Sequence, residues 1–150
     1  KQISKKLITN KLITINQFFL KKLKYKPKIA LLGLNPHNAE FRKDSEEKRI
    51  ILPSILALKK KGIRVKGPLI SDTVFIKDYK NYDIIVGMYH DQVLAPFKSM
   101  FKFNAINLTL GLKYLRVSPD HGTAKNLIAQ NKANPLSLIE SINFVDKFGK

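Results

Sequence analysis

Cysteine is absent from the 150 residues, so neither a disulfide framework nor a thiolate metal centre is available. Any metal must be held by histidine, carboxylate and water. Long apolar runs are missing too. Nothing approaches the roughly 18 residues of a membrane span, and residues 1–26 hold neither a signal-peptide hydrophobic region nor a small-residue cleavage site. No membrane partner and a cytoplasmic location are therefore expected. Acidic residues are few, with 11 against 28 basic ones, which leaves a formal charge of +17. Arginine is scarcer still, confined to Arg42, Arg49, Arg64 and Arg116. Arginine is the side chain that reads bases and phosphates bidentately, and the lysines scatter along the whole chain. No nucleic-acid partner is expected, and a basic polyanion-binding module remains as a non-enzyme alternative resting on net charge alone. There is no G-x-G-x-x-G, so a Rossmann dinucleotide site is not supported.

What is present is one domain's worth of material, 44% of it hydrophobic. Residues 6–24 carry Leu12, Ile15, Phe19 and Leu23 at helical spacing, and Pro27 ends that pattern. The apolar run 29–34 reads as a strand buried on both faces. A second helix is expected from Ser45 to Lys61, with Ile50, Ile51, Ile55 and Leu58 on its buried stripe, Glu46 and Glu47 favouring its N-terminus, and Gly62 ending it. Gly67-Pro68 reads as a turn, and Ser71-Asp72-Thr73 as the cap of a short helix. Residues 82–89 form the second strong strand, followed by a short helix from Asp91 to Lys98. Strands at 105–111 and 114–118 flank a turn at Gly111, and helices are expected at 123–131 and 135–148. The latter has Leu138, Ile139, Ile142 and Val145 on one face. Alternation of helix and apolar strand indicates an α/β fold.

All three histidines lie in polar clusters that follow such runs: Asn35-Pro36-His37, His90-Asp91-Gln92 and Asp120-His121-Gly122-Thr123. A histidine just past a strand faces the crevice where open α/β sheets bind ligands, and neutral imidazole is a common metal ligand. A lone histidine is more often a surface or satisfied core residue, but three in one context point to chemistry. Two imidazoles do not complete a metal site, and Asp72, Asp91, Glu40 and His121 are the in-chain candidates for the remainder. Lys98, Asn107 and Arg116 suit an anionic small molecule such as a phosphate ester. A buried Arg116 would need a partner, and a structural salt bridge is its alternative explanation. Gly122 and Thr123 would allow close backbone approach to a ligand at a helix N-terminus, against the plainer reading of an N-cap and a loop.

Taken in order, Gly33-Leu34-Asn35-Pro36-His37, Gly67-Pro68-Leu69 with Asp72-Thr73, Met88-Tyr89-His90-Asp91-Gln92, Asn107 to Leu112 and Asp120-His121-Gly122-Thr123-Ala124 resemble the 4-hydroxythreonine-4-phosphate dehydrogenase family of vitamin B6 biosynthesis. The segment from Asp120 to Pro135 also resembles the adenine-side loop of the wider isocitrate and isopropylmalate dehydrogenase superfamily. The resemblance implies an isocitrate/isopropylmalate dehydrogenase-like fold, with residues 1–150 the C-terminal portion of a two-domain three-layer sandwich whose N-terminal domain is not in this chain. It implies His37 and His90 as two of three metal ligands, for Zn, Mg, Co or Mn. It implies Lys98, Asn107 and Arg116 as substrate contacts, and His121, Gly122, Thr123, Ala124 and Asn134 along NAD or NADP. Lys98, Asp72 and Asp91 are the candidate catalytic groups. The implied activity is NAD-dependent oxidation of 4-phosphooxy-L-threonine followed by decarboxylation to 3-amino-2-oxopropyl phosphate, in a homodimer with its active site at the subunit interface. A related dehydrogenase of another phosphorylated four-carbon hydroxy acid is the alternative. One departure stands out: the family's glycine-rich run after the first histidine reads Asn38-Ala39-Glu40-Phe41-Arg42 here, although Glu40 is kept. With the N-terminal domain missing, this chain alone is expected to be inactive.

Overall fold

The structure, a computed structural model, describes residues 3–149. Helix α1 (Lys5–Phe18) is capped by Ser4, whose Oγ accepts the N–H of Leu7 at 3.2 Å. It continues as a π-helical turn, Phe19–Leu23, closed by Lys24 in the left-handed region. Strand β1 (Ile29–Leu32) is buried at every residue, as its unbroken apolar run requires. The second expected helix forms as a π-helical turn, Glu47–Ile51, running into α2 (Leu52–Lys60). Pro53 explains the division, because its missing N–H removes a rung from the α-helical ladder at that point. Gly62, with φ 73°, ends the helix.

Gly67-Pro68 is not a turn. Both residues lie inside strand β2 (Val65–Leu69), joined by a cis peptide bond. The physical reason is position: the sheet order is β2-β1-β3, so β2 is an edge strand, where proline's missing donor costs no ladder bond on the open side. Its pairing with β1 shifts register between Ala30 and Leu32. Helix α3 (Ser71–Lys77) begins where expected, but Ile70 holds the cap position and no side chain caps it, so Asp72 is free for other work. Strand β3 (Ile84–Val86) pairs parallel with β1, Ile29 opposite Ile84 and Leu31 opposite Val86. Helix α4 (His90–Phe101) follows and is longer than its sequence signal. Helices α1 and α2 pack together, and Leu12, Ile51, Ile55 and Leu58 join Ile29 and Leu31 in one core. Removing such side chains from water supplies the main driving force for this unit.

The chain divides into two compact units that meet at Pro96 and Phe97, within α4. In the second unit, β4 (Ile106–Thr109) and β5 (Arg116–Pro119) form the expected antiparallel hairpin, and α5 (Leu136–Phe148) packs on both strands. One expectation fails here. Residues 123–131 are not a helix: only a single 3-10 turn forms at Lys125–Leu127, and Ala124, Ala129 and Asn131 take left-handed backbone angles that interrupt any helical run. On α5 the buried line is Ser137 and Ser141, whereas Leu138, Ile139, Ile142 and Val145 are exposed. Ser137 is buried because its Oγ donates to the carbonyl of Ala105 at 2.5 Å and accepts the N–H of Asp120 at 2.8 Å.

Candidate active site

His37 is delivered by the loop after β1, and that loop is held from below. Glu47 is completely buried, and its Oε1 accepts the backbone N–H of Asn35 at 2.7 Å. The Oδ1 of Asn35 then accepts the N–H of His37 at 2.9 Å and that of Ala39 at 3.2 Å, an Asx-type turn that fixes the backbone around the histidine. Next comes a feature the sequence did not foretell. Asn38, Ala39, Glu40 and Phe41 all have positive φ, at 58°, 47°, 51° and 53°, and none is glycine. Asn38 turns inward, donating from Nδ2 to the carbonyl of Pro68 at 3.1 Å, in space that exists only because Gly33 lacks a side chain: a Cβ there would lie 2.0 Å from Asn38 Oδ1. Glu40, considered as a metal ligand, sits on this loop, and among the described residues it joins no group of three His, Asp or Glu side chains able to hold a metal.

The side chain of His37 is mostly exposed, and its Nε2 lies 3.0 Å from Oδ2 of Asp72 on the first turn of α3. His90 opens α4, and its Nδ1 lies 2.6 Å from Oδ1 of Asp91. When each ring donates its N–H to that carboxylate, a lone pair is left on Nδ1 of His37 and on Nε2 of His90. This is the carboxylate–histidine arrangement that orients imidazole for a metal. Both histidines follow adjacent strands, about 4.8 Å apart where they are paired. The donor chemistry suits a divalent cation, but among the described residues no three His, Asp or Glu side chains gather into a set able to hold one. Asp72 and Asp91 each serve one histidine, and His121 turns its Nδ1 toward the carbonyl of Gly122 at 3.0 Å. A further ligand would have to come from outside these residues.

In the second unit, Lys98 Nζ donates to the carbonyl of Asp120 at 2.6 Å and to its carboxylate Oδ2. Aspartate and lysine thus form a half-buried ion pair that composition alone did not disclose. The ladder sets Asn107 opposite Ser118 and Thr109 opposite Arg116, so Asn107 and Arg116 share one face of the hairpin. Arg116 is exposed rather than buried, and its Nη1 donates to Thr109 Oγ1 at 2.9 Å, which removes the need for a salt-bridge partner. His121, Gly122, Thr123, Ala124 and Asn134 are exposed on an irregular segment. Without a helix at 123–131, the expected helix N-terminus beside Gly122 and Thr123 does not exist. Asn134 Oδ1 accepts the N–H of Leu136 at 2.9 Å, helping to start α5.

Sequence reasoning missed Glu47, Gln92 and Asp120 as the groups that hold these loops. The clue to Glu47 was its place on the apolar stripe, four residues before Ile51 and eight before Ile55.

Residues 1–145 match the family model described as Pyridoxal phosphate biosynthetic protein PdxA. The chain is 46% identical over 143 residues to 4-hydroxythreonine-4-phosphate dehydrogenase of Sulfurihydrogenibium sp. (strain YO3AOP1), covering 94% of this chain and 44% of that protein. It is 42% identical over 133 residues to D-threonate 4-phosphate dehydrogenase of Pectobacterium atrosepticum, covering 87% of this chain and 41% of that one. The crystal structure of 4-hydroxythreonine-4-phosphate dehydrogenase from Klebsiella pneumoniae superimposes with a TM-score of 0.79 at 36% identity, covering 95% of this chain and 44% of that chain. The chain therefore spans less than half the length of these relatives.

Proposed function

Because the chain belongs to the family of pyridoxal phosphate biosynthetic protein PdxA, we propose that the whole protein carrying it is an NAD-dependent dehydrogenase of a phosphorylated hydroxy acid, with 4-phosphooxy-L-threonine as substrate. The observation that carries this reading is the pair of histidines at the ends of neighbouring parallel strands, each with a carboxylate on one ring nitrogen. Carbon C3 gives its hydrogen as hydride to NAD while its hydroxyl gives a proton to the protein or solvent, and the β-keto acid so formed loses CO2 and takes up a proton to leave 3-amino-2-oxopropyl phosphate. A divalent metal, one of Zn, Mg, Co or Mn, would lower the pKa of the hydroxyl and polarise the ketone.

His37 and His90 would supply two of its ligands, and Asp72 and Asp91 would keep the imidazoles oriented. Lys98 would stabilise negative charge at the reacting oxygen or anchor the substrate's carboxylate or phosphate, with Asp120 holding it in place. Asn107 and Arg116, on one hairpin face, would bind the phosphate. The exposed segment with His121, Gly122, Thr123, Ala124 and Asn134 would lie along NAD or NADP. We place the fold in the isocitrate/isopropylmalate dehydrogenase-like class, the protein in the cytoplasm, and the complete site at the interface of a homodimer.

A second reading keeps the chemistry and changes the acid, since one relative is named for D-threonate 4-phosphate. Both are tested by following NAD reduction by the full-length protein with each phosphorylated acid, before and after chelation and divalent-metal replacement. Metal-restored turnover that disappears in His37→Ala and His90→Ala is the expected result. A folded protein inactive on 4-phosphooxy-L-threonine but active on D-threonate 4-phosphate would move the assignment to the second reading. Inactivity on both would overturn it.

A further inference from the structure

Gln92 is buried, with 6% of its surface exposed, and both ends of its carboxamide are engaged. Its Nε2 donates to the carbonyl of Gly33 at 2.6 Å, and its Oε1 accepts the backbone N–H of Met88 at 2.7 Å. Those partners fix the orientation of the amide, since a carbonyl can only accept and an N–H can only donate. Gly33 and Met88 lie just beyond the point where the pairing of β1 and β3 stops, at Leu31 opposite Val86. Gln92 therefore adds a side-chain rung to the ladder after the backbone rungs have ended. Gly87 makes room for it: a Cβ at that position would come within 3.2 Å of Gln92 Oε1 and 2.9 Å of Val93 Cγ1.

The rung joins the two segments that carry the histidines. Gly33 precedes His37 by four residues, and the intervening Asn35 binds the N–H of His37. On the other side, Met88 precedes His90 by two residues, and Gln92 itself stands in the first turn of the helix that His90 begins. A carboxamide presents a donor and an acceptor on one planar group, so a single uncharged side chain satisfies both backbone groups at once. Buried backbone groups left unpaired are costly, so the two loops cannot separate without losing one of these bonds.

We infer that Gln92 is a positioning residue that sets the separation of His37 and His90, and thereby tunes divalent-metal binding at the two imidazoles. The role rests on the reading of those histidines as metal ligands. In the full-length protein, Co(II) serves as the probe, followed by its visible absorption, alongside the melting temperature of the metal-free protein. Wild-type protein is expected to give a Co(II) band that His37→Ala and His90→Ala abolish. Gln92→Glu keeps the shape but presents an oxygen to the Gly33 carbonyl, and Gln92→Met keeps the length but loses both bonds. Each is expected to weaken Co(II) binding about tenfold or more and to alter the band, in protein whose circular dichroism remains that of the folded wild type. A lower melting temperature with unchanged Co(II) affinity and spectrum in either folded variant would reduce Gln92 to a structural tie and overturn the inference, while leaving the histidine site intact. Absence of any histidine-dependent Co(II) band in wild-type protein would overturn the site itself and this role with it.

Discussion

The carboxylate of Glu47 accepts the backbone N–H of Asn35 at 2.7 Å from a fully buried position, tying the loop that bears His37 to the start of the second helical segment. Replacing Glu47 with Leu leaves that N–H without an acceptor, at a cost of about 1–3 kcal/mol. Gln retains an acceptor oxygen and should recover most of the loss. Urea unfolding of the intact protein provides the check: equal destabilisation by both substitutions would show that the Asn35 bond is not what Glu47 contributes.

The pairing of His37 with Asp72 at 3.0 Å carries a separate expectation. If His37 is a metal ligand, Asp72→Asn weakens divalent-metal binding roughly 10- to 100-fold, because the carboxylate both orients the ring and raises its basicity. Since Asp72 caps no helix, the melting temperature of the metal-free protein should stay close to wild type. Isothermal titration with Zn(II) separates the two quantities, and unchanged affinity would argue against the pairing as support for a ligand.

Lys98 is held by both the carbonyl and the carboxylate of Asp120. If it contacts an anionic substrate or the oxygen at the reacting carbon, Lys98→Ala removes a charge-assisted hydrogen bond of about 1.5–3 kcal/mol, equivalent to a fall in kcat/KM of roughly 10- to 150-fold. Steady-state kinetics of the full-length variant read this directly. Asp120→Asn should cost less, since the carbonyl of residue 120 can still accept from Lys98. A larger loss for Asp120→Asn than for Lys98→Ala would reassign the catalytic contribution to Asp120.

The elements that sequence revealed are those with one strong local signal. The unbroken apolar run of β1, the stripe of α2 and the alternation in β4 each name their own burial pattern. Strand β2 escaped because Gly67 and Pro68 are turn residues by local preference, and only their place at a sheet edge, a tertiary fact, makes them compatible with a strand. The helix expected at 123–131 failed for the opposite reason: helical spacing was present, but the backbone reverses at Ala124 and Ala129. Both histidines were legible as site candidates because each follows a strand. The groups that hold their loops, Glu47 and Gln92, were not, since their partners are backbone atoms 12 and 59 residues away for Asn35 and Gly33.

The left-handed run after His37 yields a stability prediction. A left-handed conformation costs a residue with a Cβ about 1–2 kcal/mol, a penalty glycine does not incur. Ala39, at φ 47° and ψ 32°, makes no side-chain hydrogen bond that could compensate. Ala39→Gly is therefore expected to stabilise the protein by about 1 kcal/mol, less whatever the unfolded chain gains in freedom, with an unchanged denaturant slope. Phe41→Gly should act in the same direction, reduced by the loss of the partly buried part of the ring. Asn38→Gly should do the reverse, because asparagine tolerates this conformation and its Nδ2 donates to the carbonyl of Pro68. The three variants thus predict a pattern of signs rather than a single shift, measured as urea midpoints of the intact protein. Destabilisation by Ala39→Gly would mean that this loop does not hold residue 39 in the left-handed region, and the arrangement around His37 would need to be redrawn.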